Sequence, residues 1–358
     1  MTDPITTSPT ESAELGLDSR KSTILRAVVQ EYIETALPVG SGHIAKAPGV
    51  NVSSATVRHD MATLELDGFL QQPHTSAGRV PTEKGYRFFV DSIQAPAVLA
   101  AADSQQIRSF FDQAHGELEQ MLADTTRLLS GLTHYAAVVV PPAPEAATIR
   151  SAHLVGLAPR VALFVVVLSN GVIEKHTIDF DFDVDELVLS AATVELGQSL
   201  AGLTLTAAAH LGRTASSHHS GGDDGKQSMA GAVTAALATL MNDDSPTSDQ
   251  IYIGGTSQMA SAFDAVATVS EVLRILEQHY VVVSLLNDVL DRGLHVAIGT
   301  ETGIEPLADC SVVVSTYEVE GEAGGTIGVL GPTRMNYPQA MAAVAVVSQR
   351  LGRRLSEG

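Results

Sequence analysis

Short polar residues beside a cation at the start of a helix suit contact with nucleic acid, and the run Ser53-Ser54-Ala55-Thr56-Val57-Arg58-His59 has that composition. Ser and Thr hydroxyls donate to phosphate oxygens, and their small size lets the main chain come close. Arg58 can reach a phosphate or the paired acceptors of a guanine edge. His59 can donate or accept, with its charge set by pH. A second set, His74-Thr75-Ser76 followed by Gly78-Arg79, reads as a polar hairpin tip carrying one cation. Ser41 follows the turn residues Pro38-Val39-Gly40 as a capping hydroxyl. The candidate nucleic-acid contacts are thus Ser41, Ser53, Ser54, Thr56, Arg58, His59, His74, Thr75, Ser76 and Arg79. The plainer alternative makes Arg58 and Arg79 solvated surface charges.

Other groupings are weaker. His218-His219 near Asp223-Asp224 could ligate a metal, but adjacent ligands in a Gly/Ser-rich loop lack preorganised geometry, and a mobile loop is expected. Gly254-Gly255-Thr256 matches neither the dinucleotide nor the P-loop spacing and reads as a strand-to-helix turn. Asp179, Asp181, Asp183, Asp185 and Glu186 lack the glycine and the terminal glutamate of a calcium loop. Cys310 sits in no nucleophile motif and reads as a buried thiol. The run Gly331 to Tyr337 is either a turn that fixes the last helix or a surface for partner contact. No catalytic set, cofactor site or metal site is expected, and the chain does not read as an enzyme.

Positioning these residues requires a front module of short helices. Residues 19–35 place Ile24, Leu25, Val28, Val29, Tyr32 and Ile33 on one helical stripe. A short helix through Ile44 stops at Pro48-Gly49. A third starts after Ser53 as N-cap, carries Val57, Met61, Leu64 and Leu66 inward, and ends at Gly68. Phe69 to Gln72, the polar tip and Val80-Pro81 then form a strand–loop–strand, and Glu83 to Ser92 forms another helix. Three helices followed by a hairpin are the pattern of a winged helix-turn-helix, in which the third helix presents its first residues to base edges.

Beyond it, a long amphipathic helix spans Ile107 to Leu132. Strands are expected at Ala136–Val140, at Val161–Leu168 as a buried strand, and at Val172–Phe182 across an Asn-Gly turn. Residues 183–249 are largely helical around the Gly/Ser/His loop 216–228. Glu271 to Leu290 is helical with a break at Val281–Val283. Strands return at 294–298, 312–318 and 326–330 before a final helix from about Pro338 to Leu351. Strands on both sides of a mainly helical stretch suggest an α+β domain with an insertion.

Charge follows the same division. The 358 residues carry 21 Lys/Arg and 41 Asp/Glu, a formal net charge of -20. Residues 17–91 are neutral, with eight cations and eight acids, whereas residues 92–358 carry a net -17. An overall basic nucleic-acid coat is excluded, and a localised contact face on the front module is compatible. The leader 1–16 is polar and acidic, reads as disordered and lacks a basic n-region and an apolar h-region. A single cysteine excludes an internal disulfide framework and suits a reducing cytoplasm.

The run ILRAVVQEYIETALPVGS, then VSSATVRHDMATLELDGFLQQPHTSAGRVPTEKGYRFFVD, resembles the front of the heat-inducible transcription repressor HrcA family. The resemblance resumes at VAIGTE and CSVVVSTYEVEGEAGGTIGVLGPTRMNYPQAM and is weaker between residues 95 and 290. It implies a winged-helix DNA-binding domain over 17–92, a GAF-like domain over 95–180 plus 291–358, and an inserted dimerisation domain over 181–290. It further implies repression of chaperone operons by a homodimer on an inverted-repeat double-stranded DNA operator, relief on heating, and the GroEL chaperonin as a partner. Two positions depart from the family pattern: Gly42 stands where Arg is common, and His59 where Asn is common. The alternative is a regulator that uses the GAF-like domain to sense a small molecule; it predicts a defined pocket.

Overall fold

The computed structural model describes residues 17–74, 77–93, 97–113, 118–142, 147–169, 172–205, 207–208, 251–260, 262–263, 266–319 and 321–357. The leader 1–16, the loop 216–228 and the wing residues Thr75 and Ser76 lie outside them.

The front unit contains α1 (Ser19–Thr35), α2 (Ser41–Ile44), α3 (Ser54–Leu66), a two-stranded ribbon of β1 (Leu70–Gln71) and β2 (Val80–Pro81), and α4 (Glu83–Asp91). Asp18, Ser53 and Thr82 cap α1, α3 and α4, each accepting a backbone N–H of the first turn. The apolar stripes of α1 and α3 meet in the core: Ile24, Leu25, Val28, Val57, Met61 and Leu64 are fully buried, whereas Leu66, expected with them, is 88% exposed because the last turn of α3 carries it off the buried stripe. One charged pair joins the two helices, with Arg20 donating to buried Asp60 from Nε at 2.8 Å and from Nη2 at 3.2 Å.

The expected long helix is two, α5 (Ala101–Gln113) and α6 (Leu118–Thr133). The main sheet has five antiparallel strands in the order β7-β3-β10-β9-β8: β7 (Tyr252–Gly254), β3 (Ala136–Val140), β10 (Glu322–Pro332), β9 (Cys310–Val319) and β8 (Val296–Ile298). Helices cover both faces. Ala137, Val139, Val313 and Val329 turn toward α6 and the last helix, α11 (Tyr337–Glu357). Ala136, Val138, Val312 and Val314 turn toward a core completed by α8 (Thr256–Ala260), α9 (Val266–Leu276) and α10 (His279–Asp291). Burial on both faces explains why these strands read as continuous apolar runs. Val281–Val283 lie inside α10; the break comes earlier, at Gln278. Gly255 makes the turn from β7 into α8 in the left-handed region, φ +76.

A second sheet, β4-β5-β6, stands apart: β4 (Ile149–Ala158), β5 (Val161–Leu168) and β6 (Ile173–Asp179), with α7 (Glu186–Leu200) on one face. The strands therefore sort differently from expectation. Residues 149–179 pair among themselves rather than with the C-terminal strands, and 252–290 join the main sheet rather than the insertion. Periodicity marks a strand but not its partner, which long-range packing selects. The expected buried strand β5 is buried on one side: Ala162, Phe164, Val166 and Leu168 are buried, and Val161, Leu163, Val165 and Val167 are partly covered.

Candidate nucleic-acid interface

On α3 the buried residues Val57, Asp60, Met61 and Leu64 leave the opposite face to solvent. Ser54, Ala55, Arg58 and His59 share that face, since i and i+4 positions stack on one side of a helix. Ser53 Oγ accepts from Thr56 N at 3.2 Å and lies 3.0 Å from Thr56 Oγ1, so the first turn is locked with its small residues outward. The helix dipole adds partial positive charge at this end, which favours a phosphate. Ser41 opens α2, half-buried, and His74 is exposed on the ribbon loop. Ser53, Ser54, Thr56, Arg58 and His59 thus lie together on the first turns of α3, with Thr56 partly covered and the other four exposed.

Arg79 is placed differently from a free cation at a loop tip. Its side chain is 17% exposed and bridges to Glu65 at 2.9 Å. Its backbone pairs with Val39 in both directions at 2.9 Å, closing the ribbon base against the α1–α2 turn. Gly78 permits this, because a Cβ there would lie 2.4 Å from the Val39 carbonyl oxygen.

The remaining cations of the unit divide in two. Arg20 holds Asp60, Lys21 lies near Asp18, and Arg87 holds Glu301. Lys84 donates to the Asp67 carbonyl at 2.9 Å and sits 4.2 Å from the Phe69 ring centre. Burial works against the Arg87 charge, but hydrogen bonding and attraction to Glu301 outweigh it and raise its pKa. Arg26, Lys46 and Arg58 are exposed and make no ion pair among the described residues. Arg26 and Lys46 were not among the expected contacts. Their signal was elimination: acids lie close enough in the fold to occupy the other cations, which spacing along the chain does not reveal.

Elsewhere chemistry is sparse. No group of three His, Cys, Asp or Glu able to hold a metal occurs among the described residues. Cys310 is buried and its thiol is pushed up to about 12, first by burial and second by nearby Asp309. The cavity under the main sheet, lined by Val138, Val272, Leu286 and Val312 among other apolar side chains, measures about 10 Å³. That is room for about one water molecule. An open groove of about 380 Å³ runs between β9 and the end of α11, past Glu318 and Arg353. The Gly331–Tyr337 run is a packed turn: Tyr337 and Met335 are fully buried, and Asn336 N donates to Tyr135 Oη at 2.9 Å. No helix among the described residues is long and apolar enough to cross a membrane.

A family model for the HrcA protein C terminal domain matches residues 119–341. The heat-inducible transcription repressor HrcA of Pseudarthrobacter chlorophenolicus is 40% identical over 339 residues, 94% of this chain and 98% of that protein. The one from Mycolicibacterium smegmatis is 36% identical over 337 residues, 94% and 97% respectively. A crystal structure of a hypothetical protein at 2.2 Å resolution shares the fold, with a TM-score of 0.63 at 21% identity, covering 95% of this chain and 99% of that one. The α+β fold and these relatives define the class as transcriptional regulators. More particularly, the chain belongs to the HrcA family.

Proposed function

We propose that this protein is a cytoplasmic repressor of chaperone operons that binds an inverted-repeat operator as a homodimer. The observation that carries the reading is the exposed face of α3, where Ser54, Arg58 and His59 stand free around a capped helix start. In this reading residues 17–92 act as a winged helix-turn-helix. Ser53, Ser54, Arg58 and His59 face the major groove, Thr56 holds the cap, and Ser41, Arg26 and Lys46 meet phosphates. His74, Thr75 and Ser76 approach from the wing, and Arg79 acts by holding the wing base. The main sheet and its helices serve as the GAF-like body. The net -17 of residues 92–358 repels DNA, leaving contact to the front unit.

The dimer is proposed to form through the second sheet, on the face turned away from α7. The register sets Val155, Leu163 and Thr177 side by side, then His153, Val165 and Lys175, then Ser151, Val167 and Ile173. Val155 is 49% and Ile173 52% exposed, so this face offers apolar area that a second copy would bury. Relief of repression on heating and dependence on the GroEL chaperonin follow from the family resemblance.

Fluorescence anisotropy with a chaperonin-operon inverted repeat and a scrambled duplex at fixed salt tests the reading. Preference for the repeat at two chains per duplex is expected. Equal weak binding to both, persisting with chaperonin present, overturns it. A ligand-responsive regulator is the second reading, and the groove between β9 and α11 is where a ligand would sit; a compound that shifts operator affinity would favour it. The 10 Å³ cavity under the main sheet offers such a ligand no room.

A further inference from the structure

We infer that Glu83 and Arg87 of α4 and residues 299–301 of the body form a latch that fixes the angle at which α3 is presented, and with it the half-site spacing the dimer accepts. This rests on the dimeric DNA-binding reading above and adds a positioning role to residues that touch no DNA in it.

The latch is reciprocal. Glu83 reaches into the body, where its two carboxylate oxygens accept from Thr300 Oγ1 at 2.5 Å and Thr300 N at 3.2 Å. Glu301 reaches back, accepting from Arg87 Nε at 2.9 Å and, through its other oxygen, from Arg87 Nη2. Arg87 Nη2 also donates to the Val296 carbonyl at 2.7 Å, and Glu301 accepts from Ile298 N at 2.9 Å. A guanidinium held by both oxygens of one carboxylate fixes direction as well as distance, which a merely adhesive apolar contact does not. The backbone is shaped for this seat: Gly299 has φ +57, and a Cβ there would lie 2.2 Å from Glu83 Oε1.

The opposite side of α4 is tied to the end of α3. Thr82 Oγ1 donates to Gly68 O at 2.7 Å, and Lys84 Nζ to Asp67 O at 2.9 Å. Gly85 lies against Phe69, where a Cβ would sit 2.3 Å from the carbonyl oxygen. A tilt of α4 on the body therefore carries α3 with it. On an inverted repeat, two such units are set by one symmetry axis, and an angular error at each joint changes the distance between the two α3 helices.

The test uses the full chain and a series of inverted repeats with the half-sites moved apart or together by one and two base pairs, beside a duplex with one half-site. Wild type should show a sharp optimum. Glu301→Ala and Arg87→Ala should each lower affinity at the optimum by about tenfold and flatten the spacing profile, with binding to the single half-site unchanged. The double variant should do no more than either single one. Glu301→Gln, which keeps one carbonyl acceptor, should fall between. A variant that weakens every duplex by one common factor has lost only stability, and an unchanged profile means an idle joint; either result overturns the latch. These residues are partly exposed, so folding should survive, and thermal melting and dimer mass are read alongside. If wild type itself prefers no repeat, the DNA-binding reading fails in that arm and the latch's role falls with it.

Discussion

Arg79 Nε donates to Glu65 Oε2 at 2.9 Å, tying the base of the ribbon to the last turn of α3. The cation of the expected hairpin tip is thus an internal brace, while Arg58, on the outer face of the same helix as Glu65, stands free. Arg58→Ala should lower operator affinity by about 1–3 kcal/mol and leave the melting temperature unchanged. Arg79→Ala should lower the stability of the front unit by about 1–3 kcal/mol, because it removes a hydrogen bond to a charged group. Anisotropy and thermal melting on both variants separate the roles; a reversed pattern would assign Arg79 to the DNA and Arg58 to the fold.

The Arg20–Asp60 pair is lopsided, with side-chain exposures of 51% and 1%. Arg20→Ala strands a carboxylate in the core and should lower stability. Asp60→Ala leaves a guanidinium that water can reach and should cost less. Chemical denaturation of the two variants checks the order, and equal losses would mean that the pair's worth lies in packing alone.

Val165 lies at the middle of the partly covered face of β5, flanked in register by His153 and Lys175. Replacing it with Glu would place a charge where a second copy is proposed to pack. Val165→Glu should yield monomers by light scattering, and operator affinity should fall with them, while the helical circular dichroism signal stays intact. A dimer of unchanged dissociation constant would move the interface elsewhere.

Cys310 should be inert. With its thiol pushed up to about 12, the thiolate is scarce at neutral pH, and burial blocks access. The sign is plain: raising pH toward 12 increases the thiolate, whereas lowering it from 7 changes nothing. A chromogenic disulfide reagent at pH 8 should label native protein at least about a hundredfold more slowly than unfolded protein, which exposes an ordinary thiol. Rapid native labelling would show that this end of β9 opens readily.

Local patterns settled much. The stripe through Ile24, Leu25, Val28 and Val29, the cap at Ser53 and the apolar run Ala136 to Val140 each depend on neighbours a few residues away, and each became the element expected. The exposed set Ser54, Arg58 and His59 was legible for the same reason: one buried stripe on a helix leaves one free face. Family membership was legible too, in two long motifs near the ends of the chain.

Pairing across long separations was not. That β4, β5 and β6 form their own sheet while β7 joins β3, that Arg79 is consumed by Glu65, and that Glu83 and Glu301 cross between α4 and the body, 217 and 214 residues from their respective partners, are decisions of tertiary structure. The physical reason is that helix stripes and caps are set by contacts within a turn or two. Strand partners and ion pairs are chosen by whichever arrangement buries the most apolar surface with the fewest unpaired charges, and that is a property of the whole chain.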